Sequence, residues 1–384
     1  MSAYNAVQQS NSTTFATSID LILDLIIEHL VPNLTPLDDG FGAVVEELAR
    51  IFLVCRAWRR PAVKRCLMRD LSVSLSVRAD RLITADAVRT GLLFFVRSVS
   101  FEESHLGALC ENKPVLIDQI IALVAKLPNL TCLDFMDPVE SLRFGLSISE
   151  SQTHQLKSSA SLAALRTLSF QPYFCDLDLS LMQHILSATI NLQHLSIHVS
   201  SNAHREYNNL PSSSSQIYLP RLQKLTLSGE TSTEAILFLL STESLANVTD
   251  LCVELEMLNP NPEARLFKVP WRSLKRLRCA VECDQDLSRT LGDLKLCRGL
   301  EELRLDSQQG NYGIFEEIPS SIKIFSTFGF RAMARYLAVA GKNAMPSKSL
   351  RKVRILGMRG GGEEMYRASV ERFCWTWNIE LDHP

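Results

Sequence analysis

Three groups of side chains in this 384-residue sequence are of types that do chemistry, and spacing decides what each could do. His194 and His198 flank Ser196 at alternate positions, so on a strand they project to one face, where two imidazoles could hold a ligand or a metal. No motif sets a nucleophile beside a base, since neither Gly-x-Ser-x-Gly nor His-Glu-x-x-His occurs, and the pair reads as solvated strand residues. Cys279, Cys283 and Cys297 come nearest to a metal cluster among the ten cysteines. They lack both a Cys-x-x-Cys pair and a histidine at ligand spacing, so they read as reduced, small apolar residues. Gly357-Met-Arg-Gly360-Gly361-Gly362 follows the apolar run Val353-Arg-Ile-Leu356, and a glycine turn ahead of a helix can cradle phosphate. Here Glu363 and Glu364 would repel an anion and no phosphate-loop register is present, so the segment reads as a strand-to-helix connection. The expectation is no catalytic residue, no cofactor and no metal: the chain is not an enzyme.

Charge points the same way. The basic run Arg56, Arg59, Arg60, Lys64, Arg65 and Arg69 shares its segment with Trp58, Cys66 and Leu67, which supply an inner face. With a formal net charge of -2 there is no global attraction for nucleic acid, and the run reads as a solvated helix face. No stretch of eighteen apolar residues exists, and the first twenty residues are largely polar, so neither membrane span nor signal peptide is expected. The expected setting is intracellular.

The elements that position these residues come from a repeat. The phrase L-x-x-L-x-L, with some copies degenerate, has first anchors at Leu130, Leu165, Leu192, Leu222, Val248, Leu274, Leu300, Ile322 and Leu350. Most intervals between anchors match the period of leucine-rich repeats. Within each phrase the last apolar residues alternate with polar ones, the signature of a strand with one buried face. Helical periodicity fills the intervals over 114–126, 179–188, 233–240, 285–296, 331–340 and 363–375. Strand alternating with helical return predicts an α/β solenoid with a parallel sheet and one open strand face. Eight residues past the first seven anchors stand Pro138, Tyr173, Ser200, Glu230, Glu256, Glu282 and Gln308, where regular repeats carry Asn or Cys. Uneven turns are therefore expected there, together with a solvated serine-rich loop at Asn208–Ser215.

If each anchor is buried, residues two, four and six places later face the open side. Early strands present neutral groups there, such as Thr167 and Ser169 or Thr226 and Ser228. Later ones present Asp250 and Glu254, Arg276 and Arg278, Glu302, Arg304 and Asp306, then Lys352 and Arg354. Rows of opposite sign set register and exclude wrong partners, so Asp250, Glu254, Arg276, Arg278, Glu302, Arg304, Lys352 and Arg354 are the candidate target-binding residues. Interstrand salt bridges, such as Glu254 with Arg276, are the alternative use of the same charges.

Ahead of the repeats, Ile19–Leu30 is apolar over most of a helix surface and ends at Val31-Pro32. A second helix, Val44–Arg60, runs into Leu53-Val54-Cys55-Arg56-Ala57-Trp58. These residues resemble the F-box, the helical module that ties substrate receptors to the Skp-type adaptor of cullin-RING ubiquitin ligases. Their order, F-box-like helices followed by irregular leucine-rich repeats, is similar to that of F-box/leucine-rich-repeat proteins over nearly the whole chain. The resemblance implies adaptor contacts at Ile22, Leu23, Ile26, Leu30, Leu53, Val54, Cys55 and Trp58.

The expected organisation is a disordered tail over 1–16, a small all-α F-box-like module over 17–70, a transition and first irregular repeat over 71–126, and an irregular leucine-rich-repeat solenoid over 127–384. The expected function is non-catalytic: a ubiquitin-ligase receptor whose helices bind the adaptor and whose repeats bind an unknown target protein, without nucleic acid or membrane. The alternative is an interaction scaffold whose N-terminal helices only cap the first repeat.

Overall fold

The computed structural model describes residues 70–74, 96–102, 123–136, 150–171, 179–199, 216–229, 239–255, 271–281, 294, 297–307, 319–339, 348–357 and 364–383. Among the described residues, twelve strands form a single sheet in which spatial order equals chain order and the neighbours run parallel. They are β1 (Asp70–Ser74), β2 (Ser98–Glu102), β3 (Cys132–Met136), β4 (Thr167–Gln171), β5 (His194–Val199) and β6 (Lys224–Gly229), then β7 (Asp250–Leu255), β8 (Arg276–Val281), β9 (Glu302–Ser307), β10 (Ile324–Thr327), β11 (Lys352–Ile355) and β12 (Glu380–Asp382). Sequential parallel strands with helical returns are the solenoid-like α/β arrangement the repeat predicts. The F-box-like segment and its eight candidate adaptor residues lie outside the described residues, as do the seven positions past the strands, the serine-rich loop and most of the glycine run.

The spacing L-x-x-L has a local cause. In seven of the repeats the anchor N–H donates to the carbonyl three residues earlier, as from Leu130 to Leu127 (3.2 Å), Leu222 to Leu219 (3.2 Å) and Leu300 to Cys297 (3.0 Å). This tight turn tucks both apolar side chains inward; Leu127, Leu130, Leu219 and Leu222 are 0% exposed. The next two N–H groups both donate to one carbonyl of the preceding repeat, so that Thr249 accepts from Lys275 (2.9 Å) and Arg276 (3.0 Å), and Lys275 from Glu301 (2.8 Å) and Glu302 (2.9 Å). The same forked bond recurs from Arg97 through Lys323. Side chains just ahead of the anchor close the remaining gap: Asn191 Nδ2 donates to the Ala163 carbonyl (2.7 Å), Asn247 Nδ2 to Pro220 (3.2 Å) and Ser349 Oγ to Ser320 (2.5 Å). A polar ladder therefore exists in the turn before the strand.

Register stacks like on like. Leu133, Leu168, Leu195, Leu225, Leu251, Leu277 and Leu303 form one inner row, all at most 2% exposed, and Phe135 stacks on Phe170 with ring centroids 5.1 Å apart. Each such leucine removed from water stabilises by roughly 1.5–3 kcal/mol, which makes this row the main support of the array. Three strands were not among the nine phrases read. β2 belongs to Val96-x-x-Val99-x-Phe101, which keeps the apolar spacing without a leucine. β1 and β12 extend the sheet beyond the expected anchors on each side.

Helices cover the other side. Leu179–Ala188 matches its expected bounds, and Phe330–Val339 and Glu364–Thr376 differ from theirs by a residue at either end. In chain order these helices are α1 (Glu150–Ser158), α2 (Ala160–Ala164), α3 (Leu179–Ala188), α4 (Thr242–Ala246), α5 (Phe330–Val339) and α6 (Glu364–Thr376). Periodicity missed α1, α2 and α4. The last two are single short turns started by serine caps: Ser159 Oγ accepts from the Leu162 N–H (3.4 Å), and Ser241 Oγ from that of Ser244 (3.2 Å). Buried Ser244 in turn accepts from the Leu219 N–H (2.7 Å) and donates to the Ile217 carbonyl (3.2 Å), tying α4 to the turn before β6.

α6 ends through a left-handed residue. Asn378 has φ 53°, its N–H donates to the Trp375 carbonyl (3.2 Å), and the Ile379 N–H donates back to Cys374 (2.8 Å). Cys374 and Ile379, both buried, complete this Schellman closure and turn the chain into β12. Asn tolerates the left-handed region and Ala does not, so Asn378→Ala should lower unfolding stability by about 1 kcal/mol while Asn378→Gly stays near neutral, as read by urea denaturation.

Candidate functional site: the open strand face

Alternate strand residues point away from the leucine rows and form three outer rows running across the sheet. The first contains His194, Lys224, Asp250, Arg276, Glu302, Ile324, Lys352 and Glu380, opposite one another in the ladder. From Lys224 to Glu302 the sign alternates at every strand. The second row contains Ser196, Thr226, Cys252, Arg278, Arg304, Ser326, Arg354 and Asp382. The third includes Ser228, Glu254, Ala280 and Asp306. A shallow depression of about 340 Å³ lies over β6 to β9, lined by Lys224, Thr226, Asp250, Cys252, Arg276, Arg278, Glu302 and Arg304 among others.

Six of the eight candidate target residues line one depression or abut it through an ion pair. Arg276 Nε pairs with Asp250, and that hydrogen bond raises the pKa of the guanidinium further. Asp250 is the register partner of Arg276 and pairs with it, whereas Glu254 stands opposite Ala280, four residues further along the register. Arg354 Nη1 donates to Glu302 Oε1 across two strands (3.3 Å). Lys352 Nζ donates to Glu380 Oε1 (2.7 Å) and lies 3.0 Å from Asp382, which raises the Lys352 pKa and lowers that of Asp382. Exposed pairs of this kind contribute about 0–1 kcal/mol each, so their main consequence is to fix where charges stand.

Asp306 has a larger part than its position in the sequence signals. Its side chain is only 8% exposed, and it accepts from Arg278 Nε (2.9 Å) and from Arg304 Nε (2.9 Å). Phe328 lies against Arg304, its ring centroid 5.2 Å from the guanidinium carbon. One carboxylate and one ring thus hold two arginines in fixed orientation. Phe328 and Ser326 follow the same every-second-residue rule from anchor Ile322; applying it to that uncharged strand would have found both.

The two histidines stand on this face as expected, in the first and third rows. His198 Nδ1 is 2.9 Å from Ser228 Oγ. Partial burial, and then the charge of Lys224, lower the His194 pKa below 6.5. Among the described residues no group of three or more His, Cys, Asp or Glu side chains could hold a metal ion. Cys279 and Cys297 are 2% exposed, and burial pushes the Cys279 thiol up to about 12. Cys283 lies outside the described residues. Among the described residues no helix is long and apolar enough to cross a membrane.

No family model matches this chain, and no curated protein matches it either.

His194 binds fewer protons folded than unfolded, so its contribution makes stability fall as pH drops through about 6.5. A proton-NMR titration of the full chain should give His194 a midpoint below that value, and Lys224→Gln should move it part of the way back. A midpoint unmoved by Lys224→Gln would refute the assigned charge effect.

Proposed function

We propose that this chain is a non-catalytic target receptor of a cullin-RING ubiquitin ligase, docked to the Skp-type adaptor through Ile22, Leu23, Ile26, Leu30, Leu53, Val54, Cys55 and Trp58. The observation that carries the receptor half is the open strand face: ordered rows that carry charges of both signs, supported from behind by leucine rows and helices. Such a surface suits the reading of a polar protein target, because misplaced like charges reject wrong partners more than matched ones add affinity. The ligase half rests on the resemblance of Leu53-Val54-Cys55-Arg56-Ala57-Trp58 and the helices around it to an F-box. Catalysis in this reading is by proximity, the repeats holding a target near a ubiquitin-charged enzyme carried by other subunits. No nucleophile is required of this chain.

The test is a pull-down of full-length chain with the purified adaptor, beside a Leu53→Asp, Val54→Asp double variant checked for folding by circular dichroism. Retention of the wild type and loss of the still-folded variant is expected. A wild-type chain that fails to bind the adaptor would replace the ligase reading with the interaction scaffold.

A further inference from the structure

The core-facing side of α6 is made by Val370 and Cys374, both buried, with Tyr366 and Phe373 partly buried beside them. Its opposite side is not simply polar. Met365 is 74% exposed and Trp375 83%, and Ala368 and Arg372 between them are exposed as well. These four are spaced by three, four and three residues, which places them in one stripe on the side of the helix away from Val370 and Cys374. The same spacing is that of the contact positions of two heptads, the seam through which one helix packs on another. An apolar stripe left in water in this way is a surface for a partner.

Two details say which partner. The stripe reads the same from either end, since Met365 and Trp375 lie equally far from residue 370, and so do Ala368 and Arg372. Laid antiparallel on a second α6, Met365 of each copy meets Trp375 of the other, a thioether against an aromatic ring, while Ala368 leaves room for the stem of Arg372. Charge is the second detail. Arg367 pairs with Glu371 within α6 (2.6 Å), whereas Glu364 and Arg372 enter no ion pair among the described residues. Within one helix these two stand eight residues, about 12 Å, apart and cannot meet. In the antiparallel pair, Arg372 of one copy comes within about 6 Å, along the axis, of Glu364 of the other, and symmetry makes that contact twice.

We infer that the exposed side of α6 is the contact through which two copies of this chain associate, antiparallel about a twofold axis level with residue 370. The inference goes beyond the receptor reading and does not depend on it, because the contact requires neither the F-box-like helices nor the outer strand rows. A seam of two heptads buries less than the roughly 1,600 Å² of a standard interface, so the dimer forms at micromolar rather than nanomolar concentration. Two copies together present two strand faces, and a target with two matching segments would be held by both.

Sedimentation velocity of the full-length chain over a concentration series should show a monomer–dimer equilibrium. Trp375→Ala and Met365→Ala should each weaken it about a hundredfold, because a roughly tenfold loss per contact counts twice in a symmetric pair. Tyr218→Ala, which removes an aromatic side chain 57% exposed ahead of β6, should leave it unchanged. Arg372→Glu should weaken dimerisation, and adding Glu364→Arg should restore most of it, since exchanging the two charges keeps the cross-pair. All the substituted side chains are exposed, so circular dichroism should show each variant folded. A wild-type chain that stays monomeric throughout, a Tyr218 variant as impaired as the Trp375 one, or a charge exchange that restores nothing would each overturn the contact. Orientation and occupant are read by p-benzoylphenylalanine in place of Trp375, cross-linked under ultraviolet light. A dimer-sized product joined at Met365 is expected, and the two positions lie about 15 Å apart in one helix, too far for a cross-link within a copy. Joining at residue 375 would overturn the antiparallel arrangement. A monomer-sized product joined to another segment of the same chain would show the stripe covered from within and overturn the dimer.

Discussion

A parallel strand can satisfy its backbone only by giving one set of bonds to the repeat before it and another to the repeat after, and everything else in this structure follows from that two-sided demand. The forked acceptors in the turns, such as Thr249 receiving Lys275 and Arg276, begin each new strand in a position fixed by the last. Once register is fixed there, inner residues must meet inner residues, and Leu225 meets Leu251 and Leu251 meets Leu277. Slippage by one residue would turn an entire leucine row toward solvent. Backbone and core therefore select the same alignment.

That alignment also orders the face. Because rows are set by the ladder, an outer charge cannot choose its neighbours; Asp250 stands between Lys224 and Arg276 since the backbone places it there. The side chains then relax locally, as Arg354 does in crossing two strands to Glu302. Ion pairs at this exposure contribute little to holding the sheet together, and the 0–2% exposed rows beneath contribute far more. Outer residues are consequently free to vary in charge without cost to the fold, which is the condition a recognition surface needs.

How far the sequence discloses this depends on what each feature rests on. Anchors and strands were legible because burial imposes a period that survives substitution, from Leu130 to Leu350. β2 went unread because its positions use Val96, Val99 and Phe101: the site requires apolar volume and spacing, and a search for leucine is narrower than the physics. α2 and α4 escaped because five-residue helices have too few turns to show a period; their serine caps, Ser159 and Ser241, were the available signal. The seven positions past the strands lie outside the described residues, whereas the polar ladder of Asn191, Asn247 and Ser349 stands one residue before the anchor, where the repeat pattern gives no signal for it. The outer face was legible as a set of positions. Which carboxylate takes which arginine was not, because that depends on side-chain reach across rows, and Asp306 takes two.

β12 is the edge strand of the described sheet, paired to β11 on one side, and an edge strand invites adventitious pairing. Here the edge strand is three residues long and carries Glu380 and Asp382, with Lys352 drawn onto both carboxylates from the neighbouring strand. α6 approaches it through the closure at Asn378, so helix and edge strand arrive as one unit. Arg367 lies over the Phe330 ring, and His383 packs edge-on against the same ring, binding the last residues of the chain to α5. Short length and charge suit β12 to the edge of the described sheet, and aromatic packing fastens the residue that follows it. The same ladder that pairs β12 to β11 carries the outer rows across to Glu380 and Asp382, so backbone register orders the face up to that edge.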